Sequence, residues 1–373
     1  MTGATPKTAL VHDWLTGMRG GEKVLEVFCE LFPDAPIYTL LHIPGSVSPL
    51  IERHRIETTF VQRLPKVASK YRNYLPLFPT AIESFNFAGY DLILSSSHCV
   101  AKGVIPHTGS THISYVHTPM RYVYEMYDQY FGPERMGRLK RCIIPFFANY
   151  LRMWDVTTAG RVDHYVANSE NVRCRIQRHY RRDAAVIWAP VDTQRLTLSE
   201  KSDDYYLVVS ALVPYKRVDL AIGAAAKLGR RLVIVGTGPE RAALEKLAGP
   251  NVKFLGWQSD EQVRDWYAGC RALLFPGEED FGIVPLETQA CGKPVVAFGR
   301  GGALETVADG ETGLFFAEQT VDALAAAMTQ LEQQRDRFVP AKIRAHAMKF
   351  DRAVFKQRIK AFVQQAMGAS WLA

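Results

Sequence analysis

Long apolar runs are absent from this sequence. The apolar stretches at 92–94 and 295–298 are short, and no segment approaches the ~18 residues that a membrane-spanning helix requires. The first residues, MTGATPKTALVHDW, lead directly into a strand-like run, so we expect no signal peptide. We therefore expect neither an integral membrane protein nor a secreted one.

Cysteine is scarce and scattered. The six cysteines include no Cys-x-x-Cys pair, and none lies at zinc-finger spacing from a histidine. Such cysteines are typical of proteins from a reducing cytoplasm. We expect a cytoplasmic protein in which they are small buried side chains.

Charge is distributed unevenly along the 373 residues. Residues 1–190 carry 22 Lys and Arg against 16 Asp and Glu, whereas residues 191–373 carry 23 against 22. The length suggests two or three domains. The basic first half indicates an anionic partner, which could be a nucleic acid, a phosphorylated substrate or a membrane surface.

Short apolar runs alternate with helix-like stretches throughout the chain. This alternation predicts parallel sheets covered by helices on both faces. The predicted strands are 8–12, 37–40, 91–95, 113–117, 164–168 and 186–188 in the first half, and 205–210, 231–235, 252–255, 272–275 and 294–298 in the second. The predicted helices are 22–32, 216–227, 239–247, 260–269, 284–291 and 351–367.

The predicted fold class is α/β, with two Rossmann-like doubly wound domains that face each other across a cleft. We place the first domain at 1–193 and the second at 194–350, because Pro190 and a polar stretch follow the last strand of the first half. A C-terminal helix within 351–373 is expected to cross back to the first domain. Ligands of such sheets bind at the carboxyl ends of the strands.

Two features after strands of the second half could bind an anion. Gly236 and Gly238 follow a strand and open a helix, but Arg241 stands where a dinucleotide fingerprint needs a third glycine. Lys216 and Arg217 begin another helix and could hold a phosphate. The alternatives are a plain tight turn and a solvated cationic face.

The segment 276–302 carries two carboxylates beside a predicted helix start. Glu279 follows the strand ALLF, Glu287 lies early in the next helix, and free backbone N–H groups at 282–284 favour a diphosphate. Carboxylates would repel phosphates but suit hydroxyl groups, so we interpret them as ligands of a sugar and a ribose. Coincidence or helix capping is the alternative.

The first half repeats the arrangement of strand, glycine loop and helix. Asp13 follows the first strand, and Gly20 and Gly21 open the next helix, where an anion could bind. His117 ends a later strand and is a candidate catalytic residue, with Arg121 four residues further on. A flexible turn and a structural histidine are the alternatives.

Two stretches of the first half, 63–78 and 135–154, mix basic and apolar residues. Such amphipathic stretches can lie on an anionic membrane surface, and a core helix with a solvated face is the alternative. No nucleic-acid-binding signature is present, so we expect a peripheral membrane protein on the inner face of the cell membrane, without a nucleic-acid partner.

The motifs together resemble the retaining GT-B glycosyltransferases of family 4. The resemblance rests on Lys216 in SALVPYKRVD, the turn at 236–238, the Glu279 and Glu287 pair in EEDFGIVPLE, and the following CGKPVVAFGRGGALETV. Asn168-Ser169 and Pro190-Val191-Asp192 are similar as well. VHDWLTGMRGGEKV and SYVHTPMRYVYE resemble bacterial mannosyltransferases that build O-antigen or exopolysaccharide units on lipid carriers.

The resemblance implies a hexosyltransferase that uses GDP-mannose and a polyprenyl-diphosphate-linked or oligosaccharide acceptor, with no cofactor and no metal ion. It implies that Glu287 binds the ribose, Glu279 the donor sugar and Lys216 the diphosphate, with His117 at the reacting centre. It also implies that the 20–21 loop lies near the donor phosphate or the acceptor, and that Phe281, Gly282, Ile283 and Val284 contact the donor. We assign Asp13 and Arg121 to the acceptor.

One position departs from the family pattern, since Ala211 stands where an arginine is common. Leaving-group stabilisation then depends on Lys216, or is shared with Arg217. The alternatives to mannosyl transfer are glucosyl or galactosyl transfer from a UDP-sugar, a sugar-nucleotide epimerase of the same fold, and a non-catalytic binding protein.

Overall fold

The structure of the protein, a computed structural model, describes residues 6–127 and 138–368, without the side chains of 138–141. The chain divides into two compact units. The N-terminal unit comprises Met1–Ala189 and Phe355–Ala373, and the C-terminal unit comprises Pro190–Val354.

The N-terminal unit is built on a parallel sheet of seven strands. They are β1 (Thr8–His12), β2 (Ile37–Thr39), β3 (Ile56–Thr58), β4 (Leu92–Ser97), β5 (Thr111–Val116), β6 (His164–Ala167) and β7 (Ala184–Val186). Their order is β3-β2-β1-β4-β5-β6-β7, and every neighbouring pair is parallel. Leu10 of β1 lies between Ile37 and Leu94. All of β1 and β4 is buried, including the polar residues His12 and Ser95–Ser97 at their carboxyl ends.

The C-terminal unit is built on a parallel sheet of six strands. They are β8 (Tyr206–Val209), β9 (Leu232–Val235), β10 (Val252–Gly256), β11 (Ala272–Phe275), β12 (Val295–Phe298) and β13 (Gly313–Phe316). Their order is β10-β9-β8-β11-β12-β13, again parallel throughout. This is the order of a Rossmann sheet, so the prediction of doubly wound α/β units is confirmed.

Helices connect the strands in both units. They are α1 (Gly20–Leu31), α2 (Pro49–Glu52), α3 (Val67–Lys70), α4 (Phe78–Glu83), α5 (Arg138–Thr157), α6 (Glu170–Tyr180), α7 (Val218–Lys227), α8 (Arg241–Leu247), α9 (Asp260–Gly269), α10 (Ile283–Ala290), α11 (Ala303–Thr306), α12 (Val321–Gln333), α13 (Pro340–Ala347) and α14 (Arg352–Met367).

The chain passes between the units at 189/190, four residues before the expected boundary at 193/194. Val191 belongs to the C-terminal unit because it pairs with Asp351, whose carboxylate also accepts a hydrogen bond from the hydroxyl of Thr193. From Phe355 onward, α14 belongs to the N-terminal unit, where the ring of Phe355 lies 5.6 Å from that of Tyr115.

Three strands differ from the sequence prediction. β7 ends at Val186, although a strand was expected at 186–188. β3 and β13 were not predicted, because Ile56–Thr58 is only half-buried and Gly313–Phe316 begins with a glycine. The glycine is required there, since a Cβ at Gly313 would lie 2.0 Å from the carbonyl oxygen of Val295 on the neighbouring strand.

Candidate functional site

The strand order of the C-terminal unit reverses between β8 and β11. Loops that follow two such strands diverge at the carboxyl edge and leave a crevice in which ligands of open α/β sheets bind. The loop after β8 contains Lys216, and the loop after β11 contains Glu279. The candidate site is therefore centred on these two loops.

Lys216 and Glu279 form an ion pair across the two loops, between Nζ and Oε1. Their side chains are 14% and 18% exposed, so the pair is shielded from most solvent and is still reachable by a ligand. An ammonium placed at a strand end can neutralise a phosphate, and a carboxylate can accept hydrogen bonds from hydroxyl groups. The structure thus brings together two residues that are 63 positions apart in the sequence.

Glycines allow the loop after β11 to pack closely on its neighbours. A Cβ at Gly277 would lie 2.8 Å from the Cα of Lys216, and a Cβ at Gly301 would lie 2.4 Å from the carbonyl oxygen of Glu279. The N–H of Gly302 donates to that same oxygen at 2.8 Å. These contacts fix the backbone of Glu279 in position.

The helix that follows this loop, α10, begins directly beside Glu279. Phe281 is buried, Gly282 has φ +99° and caps the helix, and Ile283 and Val284 form its first turn. The first N–H groups of a helix have no partner within the helix and favour an anion. The backbone at these four residues is therefore suited to the diphosphate contacts expected of it.

Glu287 lies one turn further along α10 and is held by a second helix. Its Oε2 accepts a hydrogen bond of 2.8 Å from the hydroxyl of Tyr267 on α9. The pKa of the Tyr267 phenol lies well above its usual value. Burial is the main cause, and the charge of Glu287 and the hydrogen bond to it raise the pKa further. The phenol therefore stays protonated and orients the carboxylate.

Gly236 and Gly238 pack against the loop after β8. A Cβ at Gly236 would lie 1.9 Å from the carbonyl oxygen of Ser210, and one at Gly238 would lie 2.3 Å from that of Leu212. The N–H of Leu212 also donates to the carbonyl of Thr237 at 2.9 Å. The structure accounts for both glycines by this backbone packing, and their contact with a ligand stays a prediction.

Arg217 pairs with a neighbouring carboxylate. Its guanidinium contacts both carboxylate oxygens of Asp219, at 3.1 Å and 2.9 Å, and lines a cavity with Glu240 and Leu244. Its side chain is 33% exposed, and its contact with the diphosphate stays a prediction. Ala211 is exposed at the end of β8 and contributes no charge there.

Asp13 in the N-terminal unit is a structural residue, which corrects its assignment to the acceptor. It is fully buried, and its carboxylate accepts hydrogen bonds of 2.6–3.0 Å from the N–H groups of His98, Cys99, Val100 and Ala101. Burial raises the pKa of Asp13, but the charge and hydrogen bond of His98 outweigh this and hold the pKa well below its usual value. No oxygen of this carboxylate is available to a sugar.

His117 ends a chain of polar contacts at the carboxyl edge of the N-terminal sheet. Its Nε2 lies 2.8 Å from Oγ of Ser96, and the same oxygen lies 3.1 Å from Nδ1 of His12. Nε2 of His12 lies 3.7 Å from the carboxylate of Glu22. The pKa of His117 is lowered to about 3, mainly by burial and further by the charges of His98 and His12. His117 is therefore neutral near pH 7.

Gly20 and Gly21 form the first turn of α1 beside these histidines. A Cβ at Gly21 would lie 3.2 Å from Cε1 of His12 and 3.6 Å from Nε2 of His117. Arg121 is half-buried in the turn after β5, where its carbonyl accepts from the N–H of Met126. The structure thus brings the glycine turn beside His117.

The sequence analysis did not identify five residues that support these sites. Ser96 lies near the carboxyl end of β4, the neighbour of β1, and His98 follows that strand, so the switch-point rule could have indicated them. Tyr267 carries no local signal, because it reaches Glu287 only through the packing of α9 on α10. His12 and Glu22 flank the glycine loop that was singled out.

Two further properties concern the described ranges 6–127 and 138–368. Within them, no group of three or more His, Cys, Asp or Glu side chains is arranged to hold a metal ion. No helix in the same ranges combines the length and apolar character needed to cross a bilayer.

The C-terminal unit is similar to a known protein family. Residues 192–349 match the family model described as glycosyl transferases group 1. This part of the chain therefore resembles the group 1 glycosyltransferases. It contains Lys216, Glu279 and Glu287, the three residues whose contacts define the candidate site.

Curated relatives of the group 1 domain include proteins that act on different compounds. The chain is 36% identical over 149 residues to a GDP-mannose-dependent alpha-(1-6)-phosphatidylinositol monomannoside mannosyltransferase of Mycobacterium tuberculosis, covering 35% of this chain and 39% of that protein. It is 35% identical over 156 residues to a D-inositol 3-phosphate glycosyltransferase of Frankia alni, covering 36% and 38%. The chain thus spans about two fifths of the length of these relatives.

The whole chain also resembles solved structures. The Anabaena protein HepE, solved in complex with UDP-glucose, superposes with a TM-score of 0.69 at 20% identity, covering 96% of this chain and 99% of that one. At this identity the likeness concerns the fold. The two parallel-sheet α/β units match GT-B glycosyltransferase structures, which confirms the expected fold class.

Proposed function

We propose that the protein is a glycosyltransferase that moves a hexose from a sugar nucleotide to a saccharide acceptor. The observation that carries the proposal is the Lys216–Glu279 ion pair at the switch point of a group 1 glycosyltransferase domain. A cation and a carboxylate in contact at one crevice suit a ligand that carries both phosphates and hydroxyl groups.

Each residue of the site has a distinct chemical task in this reaction. Departure of a nucleoside diphosphate develops negative charge, which the Lys216 ammonium and the N–H groups at the start of α10 would stabilise without a metal ion. Glu279 would hold hydroxyl groups of the donor sugar. Glu287, oriented by Tyr267, would accept hydrogen bonds from the ribose. His117 would meet a hydroxyl of the transferred sugar.

The proposed donor is GDP-mannose. The GDP-mannose-dependent relative at 36% identity supports this choice, as does the resemblance of VHDWLTGMRGGEKV and SYVHTPMRYVYE to bacterial mannosyltransferases. We propose that the anomeric configuration is retained, by attack on the same face that the diphosphate leaves. No carboxylate is assigned as a nucleophile, since Glu279 already faces the ammonium of Lys216.

The proposed acceptor is a saccharide on a polyprenyl diphosphate, within the synthesis of a bacterial surface polysaccharide. A lipid-linked acceptor brings the reaction to the inner face of the cell membrane, which agrees with the excess of basic residues in 1–190. Arg121 is the remaining acceptor candidate, because Asp13 is buried and fully engaged.

The test is a panel of radiolabelled GDP-mannose, UDP-glucose and UDP-galactose, each incubated with polyprenyl-diphosphate-linked saccharides, with and without EDTA. We expect label from GDP-mannose in the lipid fraction, in equal amounts with and without the chelator. NMR of the product should show the donor's anomeric configuration. Lys253→Ala, an exposed lysine of the same unit, is the matched control for Lys216→Ala.

The alternatives give different products. Transfer from a UDP-sugar alone would replace the proposed donor, whereas conversion of a sugar nucleotide into its epimer without any acceptor would indicate an epimerase. A protein that is stabilised by GDP but transfers nothing to any acceptor would be a binding protein. Stabilisation by NAD alone would overturn the transferase assignment.

A further inference from the structure

The helix α5 presents an apolar face to solvent. Ile143, Phe146, Phe147, Tyr150 and Met153 are between 37% and 78% exposed. At 3.6 residues per turn they occupy one arc of about 120° on the helix. Single exposed apolar residues are common on protein surfaces, but five on one face are typical of an interaction site.

The opposite side of α5 is firmly anchored. Ala148 and Leu151 belong to the hydrophobic core of the N-terminal unit. Asp155, which is fully buried, pairs with Lys102 at 2.9 Å. Because these contacts set the rotation of α5, the apolar face is a fixed property of the folded unit.

The helix α5 and a second segment of the N-terminal unit are rich in basic residues. The sequence of α5 begins with RLKR, and its only acidic residue is the buried Asp155. The segment 59–82 packs on the same core through Val61 and Tyr71, and it contains no Asp or Glu. Its four basic side chains are all exposed: Arg63, Lys66, Lys70 and Arg72.

We propose that α5 and the segment 59–82 form a docking surface for an anionic phospholipid bilayer. An apolar face with Phe, Tyr and Met inserts between acyl chains near the headgroups, and lysine and arginine side chains contact anionic headgroups. The helix lies along the bilayer surface, because its opposite side is anchored in the hydrophobic core of the N-terminal unit. The inference rests on the proposed function, because this is the surface by which the protein would approach its membrane-bound acceptor.

The test measures vesicle binding of the full chain by flotation, without donor or acceptor. We expect binding to phosphatidylcholine vesicles that contain about 30% phosphatidylglycerol and weak binding to phosphatidylcholine alone. Salt at about 0.5 M should release most of the bound protein. A protein that does not bind vesicles could still be a glycosyltransferase. The radiolabel panel with detergent-dispersed acceptor measures sugar transfer independently of vesicle binding.

Matched variants locate the surface. Phe146→Ser should lower the partition coefficient about tenfold, whereas Trp257→Ser in the C-terminal unit should not, although the two side chains are equally exposed at 78% and 76%. Lys66→Glu with Lys70→Glu should abolish the preference for anionic vesicles. The control is Lys246→Glu with Lys253→Glu, which reverses two exposed lysines of the other unit.

Three results would overturn the proposal. The first is equal binding of the wild type to neutral and anionic vesicles. The second is an equal loss of binding in Phe146→Ser and Trp257→Ser. The third is a wild-type dimer in sedimentation velocity that Phe146→Ser converts to a monomer, because the face would then be covered by a second copy of the chain.

Discussion

The hydroxyl of Ser96 lies 2.8 Å from Nε2 of His117. The same oxygen lies 3.1 Å from Nδ1 of His12, so one hydroxyl joins two imidazoles. A hydroxyl can donate only one proton, and therefore the two histidines cannot both accept from Ser96. The protonation of one ring thus constrains the tautomer of the other.

Removing this hydroxyl should affect turnover without affecting nucleotide binding. We expect Ser96→Ala to lower kcat about tenfold, because His117 loses the hydrogen bond that orients it, while the Kd for GDP stays unchanged. Ser114→Ala is the control, since Ser114 is buried on the neighbouring strand with no partner for its hydroxyl among the described residues. Equal kinetics for the two variants would contradict the role of Ser96.

Loss of the Lys216 ammonium should reduce transfer strongly. We expect Lys216→Ala to lower kcat by about 10²–10³, the usual effect of losing one preorganised group that stabilises transition-state charge. Lys216→Arg should retain part of the rate because it keeps the charge. The measurement is initial-rate kinetics with saturating donor, and an unchanged rate in Lys216→Ala would refute the assignment.

The ribose contact can be measured with an altered nucleotide. The wild type should bind GDP more tightly than its 2′,3′-dideoxy analogue, and Glu287→Ala should bind both equally weakly. Tyr267→Phe should weaken GDP binding by about threefold to tenfold, since Glu287 loses a hydrogen bond that orients it. Calorimetric titration gives both affinities, with the exposed Glu318→Ala as the control. If the Glu287→Ala variant still binds GDP more tightly than the dideoxy analogue, Glu287 does not contact the ribose.

The neutrality of His117 should appear in the pH dependence of stability. The pKa of His117 is lowered from 6.5 to about 3, mainly by burial and further by the charges of His98 and His12. The unfolded chain therefore binds a proton that the folded chain does not, and stability falls as pH drops from about 6.5 towards 3, by up to ~1.4 kcal/mol per pH unit.

Urea unfolding between about pH 6.5 and pH 4.5 tests this expectation. His117→Gln should show a slope that is smaller by up to ~1.4 kcal/mol per pH unit. His112→Gln is the positive control, because burial lowers the pKa of His112 to about 4. An unchanged slope in His117→Gln would show that the folded histidine titrates normally.

The glycine turn after β9 should be intolerant of a side chain. A Cβ at position 238 would lie 2.3 Å from the carbonyl oxygen of Leu212, so Gly238→Ala should destabilise the C-terminal unit by about 1–3 kcal/mol. Gly160→Ala is the control, since nothing lies within 4 Å of a Cβ there. The measurement is the midpoint of thermal unfolding of both variants, and equal midpoints would contradict the packing role of Gly238.

The alternation of buried strands and amphipathic helices in the sequence determined the fold class. Strands with both faces covered contain short continuous apolar runs, so β1, β4, β8, β9, β11 and β12 could all be predicted close to their true positions. β3 and β13 could not, because a half-buried edge strand and a strand that begins with glycine both lack that pattern. Lys216, Glu279 and Glu287 could be chosen in advance because each follows a strand or begins a helix.

Tertiary structure alone decided which of the chosen residues are available to a ligand. Asp13 has the right residue type and stands in the right loop, yet its carboxylate is saturated by four backbone N–H groups. The Ser96–His117 and Tyr267–Glu287 contacts likewise join segments that are distant in sequence. Hydrogen-bond partners depend on which chain segments meet in space, and local sequence records only the element on which each residue lies.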